Sequence, residues 1–179
     1  MVYNSNTISI VPLATTDSLQ LNKFFVSNSE WFFEYLPKTL ADNSTLDGTR
    51  AYIKKKMTAA ENNKEFVFTI KDRYSIYTIG LVIIKNINWD KKQGELAYCI
   101  DRQNSGKGLM SEAIKAISNH TAENLGLRTL HILAHKSNRA SVKVALNAGF
   151  EWKATLPKAF APPNKPALDM ELYVWSCGV

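Results

Sequence analysis

A short turn with two glycines and a lysine stands directly before a segment with helical periodicity. In the stretch QNSGKGLMSE, residues 103–112, Gly106 and Gly108 flank Lys107. The start of a helix leaves backbone N–H groups without intrahelical partners and carries a partial positive charge. Glycines there provide positive φ angles or let an anion approach those donors, and the lysine adds charge. The pattern predicts a phosphate-binding turn, with a merely tight strand-to-helix connection as the alternative.

Two widespread phosphate-binding motifs do not fit this turn. A P-loop needs a glycine at Asp101 and a hydroxyl side chain at Gly108. A dinucleotide fingerprint needs a glycine at Ser111, and the upstream strands are predicted to be antiparallel, unlike those of a doubly wound sheet. A phosphate-bearing ligand at this turn would therefore belong to another class.

The hydrophobic periodicity of the whole chain predicts an α+β fold. The predicted order is strand, two helices, three strands, helix, strand, helix and two strands. Most strands are expected to be antiparallel, with one strand-helix-strand unit around residues 95–135. The predicted helices are 21–37, 44–63, 108–126 and 138–149. The predicted strands are 7–13, 66–71, 76–85, 94–100, 127–135, 150–156 and 167–176.

Composition limits the class of protein and its setting. The 179 residues suit a single domain, 1–179, without internal repeats. No segment reaches the roughly 20 apolar residues of a membrane-spanning helix. The N-terminus lacks a secretory signal and the two cysteines lack metal-ligand spacing, so we expect a cytoplasmic protein without a metal site. The net charge of +6 alone is compatible with nucleic acid, a phosphorylated cofactor or acidic partners.

Two motifs in the right order resemble the signatures of the GNAT family of N-acetyltransferases. The turn QNSGKG, residues 103–108, matches the pattern [RQ]xxGx[GA] of that family's acetyl-CoA pyrophosphate loop. Asn138 opens a predicted helix that ends in Gly149 and Phe150, as in the family's second signature. The stretch GELAYCID, residues 94–101, resembles the segment before the loop in the Rim-type subgroup, which acetylates the N-termini of ribosomal proteins. The resemblance covers roughly residues 7–175.

The resemblance implies a GNAT fold and acetyl-CoA as the cofactor. The predicted elements then form a mixed, mostly antiparallel sheet of about seven strands with four flanking helices, and the fourth and fifth strands splay around the pantetheine arm. A backbone N–H near Cys99 would face the thioester oxygen, and a covalent role of its thiol is disfavoured because no base is placed to activate it. The implied cofactor-binding residues are Tyr98, Cys99, Ile100, Gln103, Asn104, Ser105, Gly106, Lys107, Gly108, Leu109, Met110, Asn138 and Lys143.

The resemblance also implies two candidates for acid–base chemistry. Many GNAT enzymes carry a tyrosine as general acid seven residues after the motif asparagine, but that position is Ala145 here. Rim-type members use a serine three residues after the asparagine as proton donor, and Ser141 matches it. A serine within a helix also commonly bonds the carbonyl one turn back, which is the alternative role. The Rim-type pattern places a general base at Glu95, which would take the amine proton through an ordered water.

The acceptor of the acetyl group is the least defined part of the prediction. The resemblance places the acceptor cleft between the early helices and the loop that joins the last two strands, here the proline-rich residues 156–166. Trp31, Phe33 and Tyr35 are candidate substrate-binding residues, although aromatic residues at this spacing more often belong to a core. The Rim-type resemblance favours the α-amino group of a protein or peptide. A small amine such as an amino acid, amino sugar or polyamine stays open.

A different class of function provides the main alternative. A non-catalytic basic module could use the same surface to bind nucleic acid or coenzyme A. Because both cofactor motifs are intact, we expect catalysis instead, with an amine substrate and neither a membrane nor a nucleic-acid partner. A homodimer stays open.

Overall fold

The computed structural model describes residues 1–33, 35–75, 77–162 and 166–178. Within these ranges the strands are β1 (Tyr3–Asn4), β2 (Ile8–Pro12), β3 (Phe66–Asp72), β4 (Thr78–Asn88), β5 (Gln93–Ile100), β6 (Thr129–Ala134), β7 (Glu151–Phe160) and β8 (Leu168–Ser176). The α-helices are α1 (Ser18–Ser27), α2 (Ser29–Phe32), α3 (Pro37–Asp42), α4 (Leu46–Glu61), α5 (Leu109–His120) and α6 (Arg139–Asn147). No helix in the described ranges has the length and apolar character needed to cross a membrane.

One mixed sheet contains all eight strands in the order β1-β2-β3-β4-β5-β6-β8-β7. Neighbouring strands are antiparallel except β5 and β6, which are parallel. These two strands pair only between Gln93–Glu95 and Thr129–His131. Beyond those pairs β5 runs on to Ile100 and β6 to Ala134 with no further pairing between them in the described chain. The predicted α+β class and the splayed strands are thereby confirmed.

Two hydrophobic cores lie on opposite faces of this sheet. The first core fills the space between the sheet and helices α5 and α6 and includes Ile114 and Phe150. The second core lies between the sheet and helices α1 and α4 and includes Phe25. Side chains alternate between the faces along a strand, so Leu96 of β5 packs in the first core and Cys99 against the second. This alternation decides which candidate side chains can meet.

The sequence predicts about seven strands and four helices, whereas the described residues form eight strands and six α-helices. The additional elements lie in the N-terminal part of the chain. The sequence predicts one helix over residues 21–37, whereas the structure has α1, α2 and the start of α3 there. Asn28 Nδ2 donates to the Phe24 carbonyl at 2.9 Å at the end of α1. Pro37 begins α3 at a position where its missing N–H is not needed. Strand β1 is too short to give a periodic signal.

Strand β7 extends further than predicted. The sequence predicts a loop over residues 156–166, but β7 continues to Phe160. It is the edge strand of the sheet, where Pro157 can be tolerated. The register shifts between Leu156 and Phe160, and Lys158 has a φ of 53°. Residues 163–165 of that loop, and residue 76 at the start of the predicted strand 76–85, lie outside the described residues.

Candidate active site

The glycine turn joins the end of β5 to the start of α5. Gly106 has a φ of +79° and Gly108 a φ of +83°, which confirms that both positions need glycine. Gly108 is the N-cap of α5, and no side chain of the described residues caps this end. A Cβ built on either glycine would meet nothing within 4 Å in the described part of the molecule. The space beside both glycines is therefore open, as the close approach of an anion to the start of α5 requires.

The first half of the turn is held by its own side chains. Asp101 Oδ1 accepts from the Asn104 backbone N–H at 2.8 Å, and its Oδ2 accepts from Asn104 Nδ2 at 3.1 Å. Lys107 Nζ donates to Asn104 Oδ1 at 3.1 Å, and Gln103 and Lys107 are exposed. The glycine half stays open. The turn is therefore pre-shaped, with a cation beside its free donors, and it suits the diphosphate of a coenzyme.

Strand β5 presents backbone groups to the gap between β5 and β6. The Asp101 N–H donates to the Ile79 carbonyl at 2.9 Å, so this residue points its N–H toward β4. In an antiparallel pair the direction alternates along the strand, so the groups of Cys99 also face β4. The groups that face the gap are those of Tyr98 and Ile100, on either side of Cys99. The Ile100 carbonyl also accepts from Trp31 Nε1, and the remaining groups suit hydrogen bonds to an extended ligand such as the expected pantetheine arm.

Helix α6 places Ser141 beside Tyr98 on the first-core face of the sheet. Asn138 caps the helix, as predicted, because its Oδ1 accepts from the Ser141 N–H at 3.1 Å. The Tyr98 hydroxyl lies 2.9 Å from Ser141 Oγ and donates to the Ser141 carbonyl at 3.1 Å. Burial raises the pKa of Tyr98 to about 12, although its hydrogen bond with Ser141 lowers it. The Ser141 hydroxyl thus meets Tyr98, and Ala145, on the same helix, is buried in the first core.

Cys99 points to the opposite face, against the second core. Burial raises the pKa of its thiol to about 12, while a hydrogen bond with the Leu81 backbone lowers it. The reactive form of cysteine is the thiolate, which is scarce at neutral pH with such a pKa. The thiol is therefore poorly suited to act as a nucleophile.

Glu95 lies where the pairing of β5 with β6 ends, beside Lys85 on one side and His131 on the other. Its Oε1 is 3.0 Å from Lys85 Nζ, and its Oε2 accepts from Asn86 Nδ2 at 2.9 Å. By alternation Glu95 shares the face of Cys99, and it lies three residues, about 10 Å along the strand, from Tyr98. The structure therefore does not bring Glu95 and Ser141 together on one face.

The three candidate substrate-binding aromatic residues are exposed, whereas Phe32 between them is in the second core. Trp31 is 43% exposed, and its Nε1 donates to the Ile100 carbonyl at 3.2 Å. Phe33 is 70% exposed and lines a shallow pocket, and Tyr35 is 45% exposed. The segment that follows α1 is thus fastened by Trp31 to the end of β5, on one side of the gap.

Sequence reasoning missed a recess at the end of β6. It is lined by His135, Lys136, Thr155, Ala167, Leu168, Asp169 and Glu171. The Glu171 carboxylate accepts hydrogen bonds from Trp152 Nε1 and from Thr155 Oγ1, and Asp169 Oδ1 accepts from the Lys158 N–H at 2.8 Å. The lining residues come from different strands and are far apart in the sequence. Only Asp169 and Glu171, two residues apart in β8, could have indicated the recess, because such a spacing places both carboxylates on one face of a strand. Both carboxylates could attract a cationic amine.

Comparison with known proteins agrees with this geometry. The family described as "Acetyltransferase (GNAT) domain" matches residues 8–151. The probable N-acetyltransferase YjcK of Bacillus subtilis (strain 168) is 29% identical over 148 residues, 80% of each chain. The ribosomal-protein-serine acetyltransferase of Escherichia coli (strain K12) is 32% identical over 81 residues, 45% of each chain. The structure of RimL, a ribosomal L7/L12 α-N-protein acetyltransferase in complex with coenzyme A, matches with a TM-score of 0.89 at 19% identity, covering 98% of this chain and 97% of that one.

Proposed function

Because the chain belongs to the GNAT family of acetyltransferases, we propose that it acetylates the N-terminal α-amino group of a protein or peptide, as one domain covering residues 1–179. The donor is acetyl-CoA, which supplies an acetyl group activated as a thioester. The relatives named as ribosomal-protein acetyltransferases support this class of acceptor. The observation that carries the proposal is the open, uncapped glycine turn at the end of β5, directly beside the gap between β5 and β6.

Each part of this site has a separate task in holding the donor. The N–H groups around Gly106 and Gly108 hold the phosphates, and Lys107 and Lys143 add positive charge. The backbone of Tyr98 and Ile100 bonds the pantetheine arm in the gap. This arrangement fixes the acyl carbon next to β5, so that the acceptor needs only to approach from the open side.

The transfer forms the nitrogen–carbon bond and breaks the carbon–sulfur bond. The ammonium form loses one proton to solvent before attack, the attacking amine loses a second to the base, and the departing thiolate takes up one proton from solvent to leave as the thiol. The neutral amine nitrogen bonds to the acyl carbon while the carbon–sulfur bond breaks. Glu95 takes the amine proton through a water molecule, and Lys85 and Asn86 hold its carboxylate in place. Ser141 donates a hydrogen bond to the departing sulfur. Glu95 and Ser141 point to opposite faces of the sheet. The base Glu95 therefore acts on the amine from one side of the reacting group, and Ser141 donates its hydrogen bond to the sulfur from the other side.

The acceptor approaches between the segment after α1 and the recess at the end of β6. Trp31, Phe33 and Tyr35 provide an exposed aromatic wall on one side. Asp169 and Glu171 provide negative charge on the other side, and this charge favours an ammonium group before it is deprotonated. A peptide N-terminus combines both features.

An acetyl-CoA consumption assay tests this proposal against a panel of peptides with N-terminal serine or alanine, polyamines and amino sugars. We expect the highest kcat/KM with a peptide. Ser141→Ala should lower kcat by roughly tenfold or more, since the variant loses a hydrogen bond that strengthens as charge develops on the departing sulfur. Turnover of small amines alone would reject the peptide acceptor but keep the acetyl transfer.

Thermal unfolding with acetyl-CoA at two salt concentrations, together with the turnover assay, distinguishes the enzyme from a non-catalytic basic module. Acetyl-CoA should raise the unfolding temperature at low and at high salt, because its arm also bonds to β5. A purely electrostatic phosphate binder would lose this stabilisation as salt rises. No turnover with any amine, together with a salt-sensitive stabilisation, would overturn the catalytic proposal.

A further inference from the structure

The hydrogen bonds between Tyr98 and Ser141 cross the gap between β5 and β6. The last backbone pair between these strands is Glu95 with His131. Continuing that register for three residues brings Tyr98 level with Ala134, where the described strands are no longer paired. The Tyr98 side chain therefore links β5 to helix α6 at a level where the sheet itself is open.

We propose that Tyr98 is a positioning residue for acetyl transfer, whose hydroxyl donates to Ser141 Oγ and so directs the serine proton toward the departing sulfur. This inference rests on the proposed role of Ser141. It assigns to the Tyr98 side chain a task that is separate from the backbone contacts of the same residue with the cofactor.

Counting protons at this contact leaves two arrangements. Tyr98 Oη is 2.9 Å from Ser141 Oγ and 3.1 Å from the Ser141 carbonyl oxygen, which can only accept. In one arrangement the tyrosine proton goes to the carbonyl and the serine proton goes to the tyrosine oxygen. In the other, the tyrosine proton turns from the Ser141 carbonyl to Ser141 Oγ, so the carbonyl gives up this hydrogen bond and the serine proton is free for a third partner. The second arrangement alone supplies a proton to the gap.

Developing negative charge on sulfur selects the second arrangement. A hydrogen bond to an anion is stronger than one to a neutral phenol oxygen, so the serine proton turns toward the sulfur. The tyrosine bond to Ser141 Oγ then polarises the serine hydroxyl and makes it a better donor. Because the pKa of Tyr98 is raised to about 12 by burial, its hydroxyl keeps its proton throughout the neutral range.

Asn138 and Tyr98 together restrict the position of Ser141 and the direction of its hydroxyl proton. The Asn138 cap fixes its backbone, since Asn138 Oδ1 holds the Ser141 N–H at 3.1 Å. The remaining freedom is the rotation of the side chain and of its hydroxyl proton. The Tyr98 hydroxyl contacts both the Oγ and the carbonyl of Ser141. It therefore limits the rotation of the serine side chain and directs the serine hydroxyl proton.

The proposal can be tested on bound coenzyme A without an acceptor. The ultraviolet absorbance of the thiolate gives the pKa of the bound thiol in wild type, Tyr98→Phe, Ser141→Ala and the double variant. A serine proton aimed at sulfur stabilises the thiolate, so we expect the lowest thiol pKa in wild type. Both single variants should raise it, and the double variant should equal Ser141→Ala. A thiol pKa in Tyr98→Phe equal to wild type would overturn the proposal.

Tyr173→Phe is the matched control for this titration. Tyr173 is buried in the same first core, on β8; its electrostatic effect on the pKa of Tyr98 is the smallest of the causes, and no hydrogen bond joins it to Ser141 among the described residues. Its replacement should leave the thiol pKa of bound coenzyme A unchanged. An equal rise in Tyr173→Phe would mean that any lost buried hydroxyl has this effect and would reject a specific role of Tyr98. Saturating coenzyme A keeps weakened variants folded during the measurement.

Kinetics with an N-terminal serine peptide provide the second readout. Tyr98→Phe should lower kcat by roughly tenfold, as expected for a lost hydrogen bond that strengthens in the transition state, with KM for acetyl-CoA changed by less than about twofold. In a Ser141→Ala background the same change should have no further effect. Additive losses would overturn the proposal but leave the acetyl transfer itself intact. Loss of acetyl-CoA binding in wild type would instead reject the proposed function.

Discussion

At the residue scale, Glu95 offers a direct test of the general base. We expect Glu95→Gln to lower kcat with a peptide acceptor by roughly 10²-fold or more, the range of general acid–base catalysis, with acetyl-CoA affinity unchanged. Steady-state kinetics should compare it with Glu151→Gln, which neutralises an exposed carboxylate 3.2 Å from Lys153. A similar loss in both variants, or none in Glu95→Gln, would contradict the assigned role.

Cys99 gives a prediction with a defined pH dependence. Burial raises the pKa of its thiol from 9.0 to about 12, so the folded state favours the protonated thiol. This group therefore contributes stability below about pH 9, and the contribution is lost as the pH rises toward 12. Alkylation of Cys99 at pH 8 should be slow in the folded protein and fast in urea. Cys99→Ala should keep kcat within about threefold, because its role is not nucleophilic; a larger loss would point to the thiol.

Some residue-level features could be predicted because they depend on local structure. The positive φ angles of Gly106 and Gly108 and the N-cap Asn138 follow from the turn and helix signals. The partner of the Ser141 hydroxyl could not be predicted, since it lies 43 residues away across the gap. The separation of Glu95 and Ser141 onto two faces likewise depends on how the splayed strands and helix α6 are arranged in three dimensions.

At the element scale, the start of α5 can be tested with matched glycine variants. Gly108→Ala forces alanine into a left-handed φ of +83°, which costs about 1 kcal/mol or more, and it disturbs the proposed phosphate site. Gly126→Ala imposes similar strain at a φ of +69°, just beyond the far end of the same helical segment. Both variants should lower the unfolding temperature, but only Gly108→Ala should weaken acetyl-CoA binding, measured by calorimetry. Equal affinities in the two variants would remove the turn from the binding site.

The elements that were predicted well are those with long, regular patterns. Helix α5, with buried residues at the spacing of one helical face, and the antiparallel strands β3 to β5 match their predictions closely. The predicted helix over residues 21–37 was wrong in detail because Asn28 and Pro37 interrupt a continuous apolar pattern. The end of β7 was missed because an edge position, which tolerates Pro157, is a property of the whole sheet and not of the local sequence.

At the scale of the whole molecule, a buried ion pair links the start of the helical layer to the sheet. Asp17 is 3% exposed; its Oδ1 lies 2.6 Å from Lys71 Nζ on β3, and its Oδ2 accepts from the Ala14 N–H at 2.9 Å. We expect Asp17→Asn to lower the free energy of unfolding by about 2–4 kcal/mol, because Lys71 loses its partner charge. Urea unfolding monitored by circular dichroism measures this difference.

The control for this measurement is an ion pair of the same type at the surface. Asp47 and Arg50 are 2.8 Å apart, but their side chains are 89% and 61% exposed. Asp47→Asn should change the free energy of unfolding by less than about 1 kcal/mol. Equal effects at the two sites would mean that burial of Asp17 does not govern its contribution.

Because β5 and β6 pair over only a short stretch, bound acetyl-CoA would be a structural component of the sheet as well as a reactant. Three residue pairs join two portions of the sheet, and the remaining length of the two strands has no strand partner on that side among the described residues. In the proposed complex, an extended thioester arm in this gap takes the place of a missing strand. Amides of β6 and of the end of β5 should then exchange with deuterium more slowly when the coenzyme is present, so that the supply of acyl donor governs the rigidity of the molecule as well as its turnover.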